Sequence, residues 1–265
     1  MYFRFKSKEA EDFGVKVISI GNLSVGGSGK TPLVTALAEH YQGSAIVLRG
    51  YGRESTGLHL VKDKNGILCD VKTSGDEAMI YAKKLHDNIV IVSEDRKKGI
   101  LKAKEMGAKI IFLDDAYSKH DIKKLDLLID VKTINNRCLP SGAFREKLWQ
   151  DKKAIVLQDG IDFKRVVEVK NATKKMSLVT AIARPQRLDA FLPEVLSKNY
   201  FPDHHSFSKE ELEDIFLHDN SESLLVTYKD FVKVESFGFP LSLLDLHMEL
   251  NQDIFKTIDE YLNIN

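Results

Sequence analysis

The stretch Val17-Ile18-Ser19-Ile20-Gly21-Asn22-Leu23-Ser24-Val25-Gly26-Gly27-Ser28-Gly29-Lys30-Thr31-Pro32 constrains this chain more than any other. A short β-branched run reads as a buried parallel strand, and the glycine cluster behind it turns the chain into a helix. Glycines let successive N–H groups curl inward around phosphate oxygens, and the positive end of the following helix adds to that attraction. In such a loop Lys30 reaches the β- and γ-phosphates and the Thr31 hydroxyl binds Mg²⁺. Ser24 stands at the first glycine position of G-x-x-x-x-G-K-[ST], so the strict pattern is incomplete. A plain glycine-rich turn is the alternative. A Gly-Lys-Thr between a predicted strand and a predicted helix favours a nucleoside-triphosphate site, with Ser24, Val25, Gly26, Gly27, Ser28, Gly29, Lys30 and Thr31 around the phosphates.

The rest of the first half alternates strands with helices. Strands are predicted over 44–49, 89–93, 109–115 and 125–131, with a hairpin around Lys64-Asn65-Gly66. Helices are predicted from Pro32 to about Tyr41, from Ser74 to about Leu85 and from Asp95 to Met106. This order predicts an α/β fold with a phosphate-loop NTPase type of parallel sheet and helices on both faces. Residues 158–175 turn polar and Lys-rich and read as a linker or thin β connection. Beyond them, strands over 176–182, 224–227 and 241–246 mix with helices from Arg184 to Leu196, from Ser208, and from Asp253 to Leu262. The expected organisation is a kinase-like core over 1–170 and a smaller α/β domain over 171–265, closing over a site between them.

Ligands of parallel sheets gather at the carboxyl ends of the strands, where Lys30, Arg49, Asp76 and Asp114 all fall. Phosphoryl transfer needs charge neutralisation, in-line positioning and an acceptor for the attacking hydroxyl's proton. Asp114, ending an apolar strand, is placed like an acid that helps hold Mg²⁺, with Asp115 beside it; a solvated strand end is the bland reading. Asp76, after Gly75 at a helix start, could accept the proton, or simply cap the helix. Asp203-His204-His205 could supply a histidine to that path, although paired loop histidines are usually just solvated. Arg49 and Arg145 could clamp anionic oxygens. With 39 Lys+Arg against 39 Asp+Glu there is no global basic field to draw nucleic acid. The 2 cysteines form no metal or redox spacing and fit a reducing compartment.

Taken together, these motifs resemble the lipid A 4′-kinases, membrane-associated tetraacyldisaccharide 4′-kinases of Gram-negative bacteria. The matching stretches, in the family's order, are Gly21 to Pro32, Arg49-Gly-Tyr-Gly52, Gly75-Asp-Glu77, Phe112-Leu-Asp-Asp115 and Leu139-Pro-Ser-Gly142 with Arg145-Glu146. Ala181-Ile-Ala-Arg-Pro-Gln-Arg187, Phe201-Pro-Asp-His204 and Val226-Thr-Tyr-Lys-Asp230 complete the set. The resemblance implies transfer of the γ-phosphate of ATP, with Mg²⁺, onto the 4′-hydroxyl of a tetraacylated disaccharide 1-phosphate. It implies Asp76 as catalytic aspartate with His204 beside it, Lys30 and Arg145 at the transferring phosphate, and Thr31, Asp114 and Asp115 near the metal. A Ser or Thr at the position of Ser24 is also usual in that family.

Where such kinases read Asp-Asp-Gly-Phe-Gln-His, this chain reads Asp114-Asp-Ala-Tyr-Ser-Lys-His120. Its Leu139-Pro-Ser-Gly-Ala-Phe-Arg-Glu146 also departs mildly from the usual Leu-Pro-Ala-Gly-Pro-Leu-Arg-Glu. Members usually carry an apolar segment ahead of the first strand, and only a short stretch with Phe3, Arg4, Phe5 and Lys6 precedes it here. No apolar run approaches the roughly 20 residues that cross a bilayer. The expectation is therefore a cytoplasmic enzyme, peripheral on the inner membrane's cytoplasmic face, meeting its acylated disaccharide substrate there. A maturation-type NTPase is the rival among enzymes, although no guanine-reading Asn-Lys-x-Asp is found. A nucleotide-binding relative without chemistry is the rival outside catalysis.

Overall fold

The computed structural model describes residues 9–24, 28–131, 137–148 and 153–263. Strand β1 (Lys16–Gly21) leads through the phosphate loop to helix α1 (Lys30–His40). Then come β2 (Ala45–Leu48), the hairpin β3 (His59–Asp63) and β4 (Gly66–Ile67), α2 (Val71–Ser74), α3 (Asp76–Lys84) and β5 (Ile89–Val92). Helix α4 (Arg96–Glu105), β6 (Ile110–Asp114), β7 (Leu125–Ile129) and β8 (Ala154–Leu157) complete the first sheet. Its order is β4-β3-β5-β2-β6-β1-β7-β8, with the β3–β4 hairpin antiparallel at one edge and the strands from β5 to β8 parallel.

Strand alternation sorts the core into two layers. Ile18, Ile20, Ile46, Leu48 and Phe112 pack with α1 and α3 on one face, while Val17, Ala45, Val47, Ile91 and Ile111 meet α4 on the other. The loop strand β1 is central, and β6 lies beside it in register, pairing Ile20 with Asp114. That register delivers the acid to the mouth of the phosphate loop.

The second sheet has the order β11-β10-β12-β13-β9. It comprises β9 (Phe163–Lys170), β10 (Met176–Thr180), β11 (Ser197–Tyr200), β12 (Ser223–Thr227) and β13 (Leu241–Leu250), with α5 (Lys209–His218), α6 (Tyr228–Val234) and α7 (Gln252–Asn263). The capping box read at Ser208 and Glu211 is formed.

Two expectations need correction, and one alternative is decided. Of the linker and the thin β connection read over 158–175, residues 163–170 form the second: β9 pairs antiparallel with β13 at the edge of the second sheet. Residues 184–196 are not a helix. One 3₁₀ turn, Pro185–Leu188, precedes β11, and Pro193 would break a longer helix. The helix expected from Ser74 to Leu85 is split at Gly75, whose φ of 84° and ψ of 161° lie outside the helical region. A Cβ there would stand 3.1 Å from the Tyr51 carbonyl oxygen, so the close approach of the Arg49–Arg53 loop also requires glycine. The split leaves Asp76 as the first residue of α3, where the helix dipole favours a carboxylate.

Candidate active site

A cleft of about 1630 Å³ runs between the two sheets and is lined by Lys30, Thr31, Asp114, Arg145 and His204, among others. Ser28, Gly29, Lys30 and Thr31 of the phosphate loop line it. Gly29 adopts φ 90° at the N-terminus of α1, a left-handed conformation natural to glycine. Ser24 is buried, and the Asn22 side-chain amide donates to its carbonyl at 2.6 Å. The Ser28 hydroxyl is buried with no hydrogen-bond partner among the described residues, and the Arg165 guanidinium donates to the Ser28 carbonyl at 3.1 Å. Val25, Gly26 and Gly27, assigned to phosphate binding from the sequence, lie outside the described residues, as do Phe3, Arg4, Phe5 and Lys6.

Lys30 Nζ donates to Asn22 Oδ1 at 2.9 Å and lies 3.5 Å from Asp115 Oδ1. Arg145 reaches the same carboxylate, with Nη2 at 3.0 Å from Oδ1 and Nη1 at 3.5 Å from Oδ2. It is brought there because the Arg145 N–H donates to the Leu23 carbonyl at 2.7 Å, laying the 138–146 loop along the phosphate loop. Burial alone would push the Asp115 carboxyl up. The Lys30 charge and the Arg145 hydrogen bond outweigh it and hold the group below the usual carboxylate range.

Asp114 is fully buried. Its Oδ2 accepts from the Tyr81 hydroxyl at 2.8 Å, and its Oδ1 has no partner among the described residues. Burial pushes this carboxyl up. Glu77, next along α3, is likewise pushed up, to about 7, by desolvation first and by the Asp114 charge second. A buried acid with one orphaned oxygen, beside Lys30 and a threonine hydroxyl, is a donor set suited to a hard cation that takes its remaining ligands from phosphate oxygens. Among the described residues no cluster of three His, Cys, Asp or Glu could hold a metal without such help.

At the other wall, His204 Nδ1 sits 3.2 Å from Asp76 Oδ2, joining the two sheets' elements. Lys233 Nζ, from α6, lies 3.3 Å from the same oxygen. Burial pushes the Asp76 carboxyl up, but the His204 hydrogen bond and the Lys233 and Lys229 charges more than compensate and leave it below its ordinary value. His204 holds a positive φ of 62°, uncommon for a non-glycine residue, secured by its N–H donating to the Ala181 carbonyl at 3.1 Å. Below it, the Asp230 carboxylate accepts from Thr180 Oγ1 and Thr227 Oγ1, both at 2.7 Å, and from the Ala181 N–H at 3.1 Å.

Lys30, Thr31, Asp114, Asp115 and Arg145 thus line one cleft together with His204, and Asp76 adjoins it through His204 Nδ1. Arg49 lines the same space. His205 points elsewhere, bonding Glu211 at 3.1 Å, and His120 packs edge-on against Tyr117. Sequence reasoning missed Tyr81, Arg165, Lys229 and Lys233 as site residues. For the two lysines the one signal in the sequence was position, since they follow the carboxyl end of β12, where ligands of parallel sheets gather.

Comparison with known proteins agrees with this architecture. The family described as tetraacyldisaccharide-1-P 4'-kinase matches residues 1–263. The tetraacyldisaccharide 4'-kinase of Aliarcobacter butzleri is 48% identical, over 98% of this chain and 86% of its own length. That of Helicobacter pylori strain 26695 is 46% identical, over 97% of this chain and 83% of its own. The crystal structure of LpxK from Aquifex aeolicus in complex with ATP superposes with a TM-score of 0.73 at 24% identity, covering 96% of this chain and 91% of that one, and shows that the fold is shared. This chain belongs to the tetraacyldisaccharide-1-P 4'-kinase family.

Proposed function

We propose that this protein transfers the γ-phosphate of ATP to the 4′-hydroxyl of a tetraacyldisaccharide 1-phosphate, a kinase step of lipid A biosynthesis. The observation that carries the chemistry is the Asp76–His204 pair, formed between elements of the two sheets, with His204 lining the same cleft as Lys30. The phosphates of ATP lie on the loop from Ser24 to Thr31, and Lys30 turns from Asn22 and Asp115 to the transferring group. Arg145 is poised at the same place through Asp115. The His204 and Lys233 contacts of Asp76 both fall on Oδ2, so Oδ1 takes the acceptor's proton. The acceptor's O–H bond breaks, its electron pair forms the new P–O bond, and ADP leaves with the electrons of the old one. Little basicity is needed, because the transition state of phosphoryl transfer is loose and positioning supplies most of the rate. Thr31 and Asp114, with Asp115 nearby, are the residues that would hold Mg²⁺, which supplies charge neutralisation at the phosphates when bound.

The acceptor carries acyl chains, and each CH₂ buried in a bilayer contributes about 0.8 kcal/mol, so this enzyme meets it at the membrane surface. Among the described residues no helix is long and apolar enough to cross a membrane. We infer peripheral contact at the cytoplasmic face of the inner membrane, with the second sheet and its helices closing over the first. The test is transfer of label from γ-³²P-ATP to tetraacyldisaccharide 1-phosphate in mixed micelles. Labelled lipid is expected. Hydrolysis without lipid labelling would favour the NTPase rival, and neither would favour the inactive relative.

A further inference from the structure

Lys229 Nζ lies 3.2 Å from His204 Nε2 and 3.0 Å from Asp203 Oδ1. An ammonium only donates and an ionised carboxylate only accepts. His204 stands between the two: Asp76 at Nδ1 demands a proton there, and Lys229 at Nε2 demands a lone pair. One form of the ring satisfies both, the neutral imidazole carrying its proton on Nδ1. The carboxylate that would favour a proton on Nε2 is Asp203, but its Oδ2 is 3.8 Å away, beyond hydrogen-bond reach, and its Oδ1 is taken by Lys229. The Tyr51 ring is centred 5.3 Å from that of His204, and Gly52 lies beside Nδ1, where a Cβ would stand 3.6 Å away. Lys233 sits behind, on Asp76 Oδ2 and the His205 carbonyl.

Building on the kinase reading above, we propose that Lys229 is a positioning residue that keeps His204 Nε2 unprotonated, so that the ring serves Asp76 as a neutral Nδ1–H donor and Asp76 alone accepts the hydroxyl proton. Lys229 is held for this task by its place on α6. Thr227 caps the helix, its hydroxyl accepting from the Asp230 N–H at 3.4 Å, and the buried Asp230 carboxylate ties that cap to the Ala181 backbone, whose carbonyl holds the His204 N–H. Without the ammonium, His204 would face Asp76 on one side and Asp203 on the other. A second proton would then settle on Nε2, and the resulting imidazolium would stabilise the Asp76 anion against accepting a proton.

The experiment is ¹⁵N NMR of the full chain labelled at the imidazole nitrogens, with His204 assigned by H204Q. We expect a neutral ring with a pyrrole-type Nδ1 and a pyridine-type Nε2 at neutral pH. In K229M both nitrogens should become pyrrole-type, and kcat for lipid phosphorylation should fall about 10-fold, less than the roughly 100-fold of losing the base itself. KM for ATP should stay within about twofold of wild type, since the altered step is proton transfer and not nucleotide binding. K229R, which keeps a cationic donor, should restore the wild-type spectrum and most of kcat. A protonated Nε2 in the wild-type protein, or a K229M spectrum equal to wild type, would overturn the proposal. The wild-type spectrum decides even if K229M fails to fold. Absence of lipid phosphorylation by wild type with the expected tautomer would instead sink the kinase reading.

Discussion

Removing the Asp230 carboxylate should damage stability and activity together. Its side chain has no exposure to solvent and accepts from two hydroxyls and one backbone N–H. A buried donor left without a partner costs about 1–3 kcal/mol. In D230A the hydroxyls of Thr180 and Thr227 can turn to other acceptors, whereas the Ala181 N–H cannot move, and a small void remains. We therefore expect a loss of about 3 kcal/mol from D230A. D230N, which keeps an acceptor of the same shape and orphans fewer donors, should lose about 1 kcal/mol. The same group anchors the Ala181 strand end and the cap of α6, which place His204, Lys229 and Lys233. Lipid phosphorylation by folded D230A should thus fall while ATP affinity, set in the other sheet, stays near wild type. Urea denaturation followed by far-UV circular dichroism gives the first number and steady-state kinetics the second. A D230A protein within about 0.5 kcal/mol of wild type, the range of neutral surface changes, would refute the reasoning.

Further outcomes follow from the same geometry. K30M should lower kcat by about 10²–10³, the usual loss when one preorganised charge donor at a developing anion is removed, with the circular dichroism spectrum unchanged. Glu77 is raised to about 7, so the native state holds a proton that the unfolded chain releases, and stability falls as pH rises from about 4.5 through 7. E77Q should remove that penalty, gaining about 1–3 kcal/mol at pH 8 and little at pH 4, which denaturation at the two pH values would read out. Co-sedimentation with vesicles of anionic lipid should be measurable at low salt and weaker at high salt, since a net charge of +0 leaves only local attraction. Binding that requires detergent to reverse would contradict it.

The phosphate-loop strand, its neighbour β6 and the helices on both faces were legible because each obeys its own period and carries its own cap or glycine. Asp114 could be placed from sequence because a strand that ends in an acid beside the loop strand has few alternatives. What was hidden depends on contacts distant in sequence. Strand β9 could be read as a polar linker as well as a thin β connection, because it finds its partner, β13, far along the chain. Helix α6 is one short stretch after β12, too brief to show periodicity, yet it supplies Lys229 and Lys233. His204 was a candidate, but a loop histidine acquires meaning only when folding brings it to Asp76. His205 offered the same residue type one position on and was absorbed by the Glu211 cap.

The most direct test is a double-mutant cycle on the pair that joins the two sheets, read as lipid phosphorylation. D76A should cost at least the roughly 100-fold of a lost general base, and H204A should cost less, since it acts through Asp76. If they work as one unit, D76A/H204A should be little worse than D76A alone. Fully multiplicative losses, or a D76A enzyme with near-normal turnover, would contradict the account.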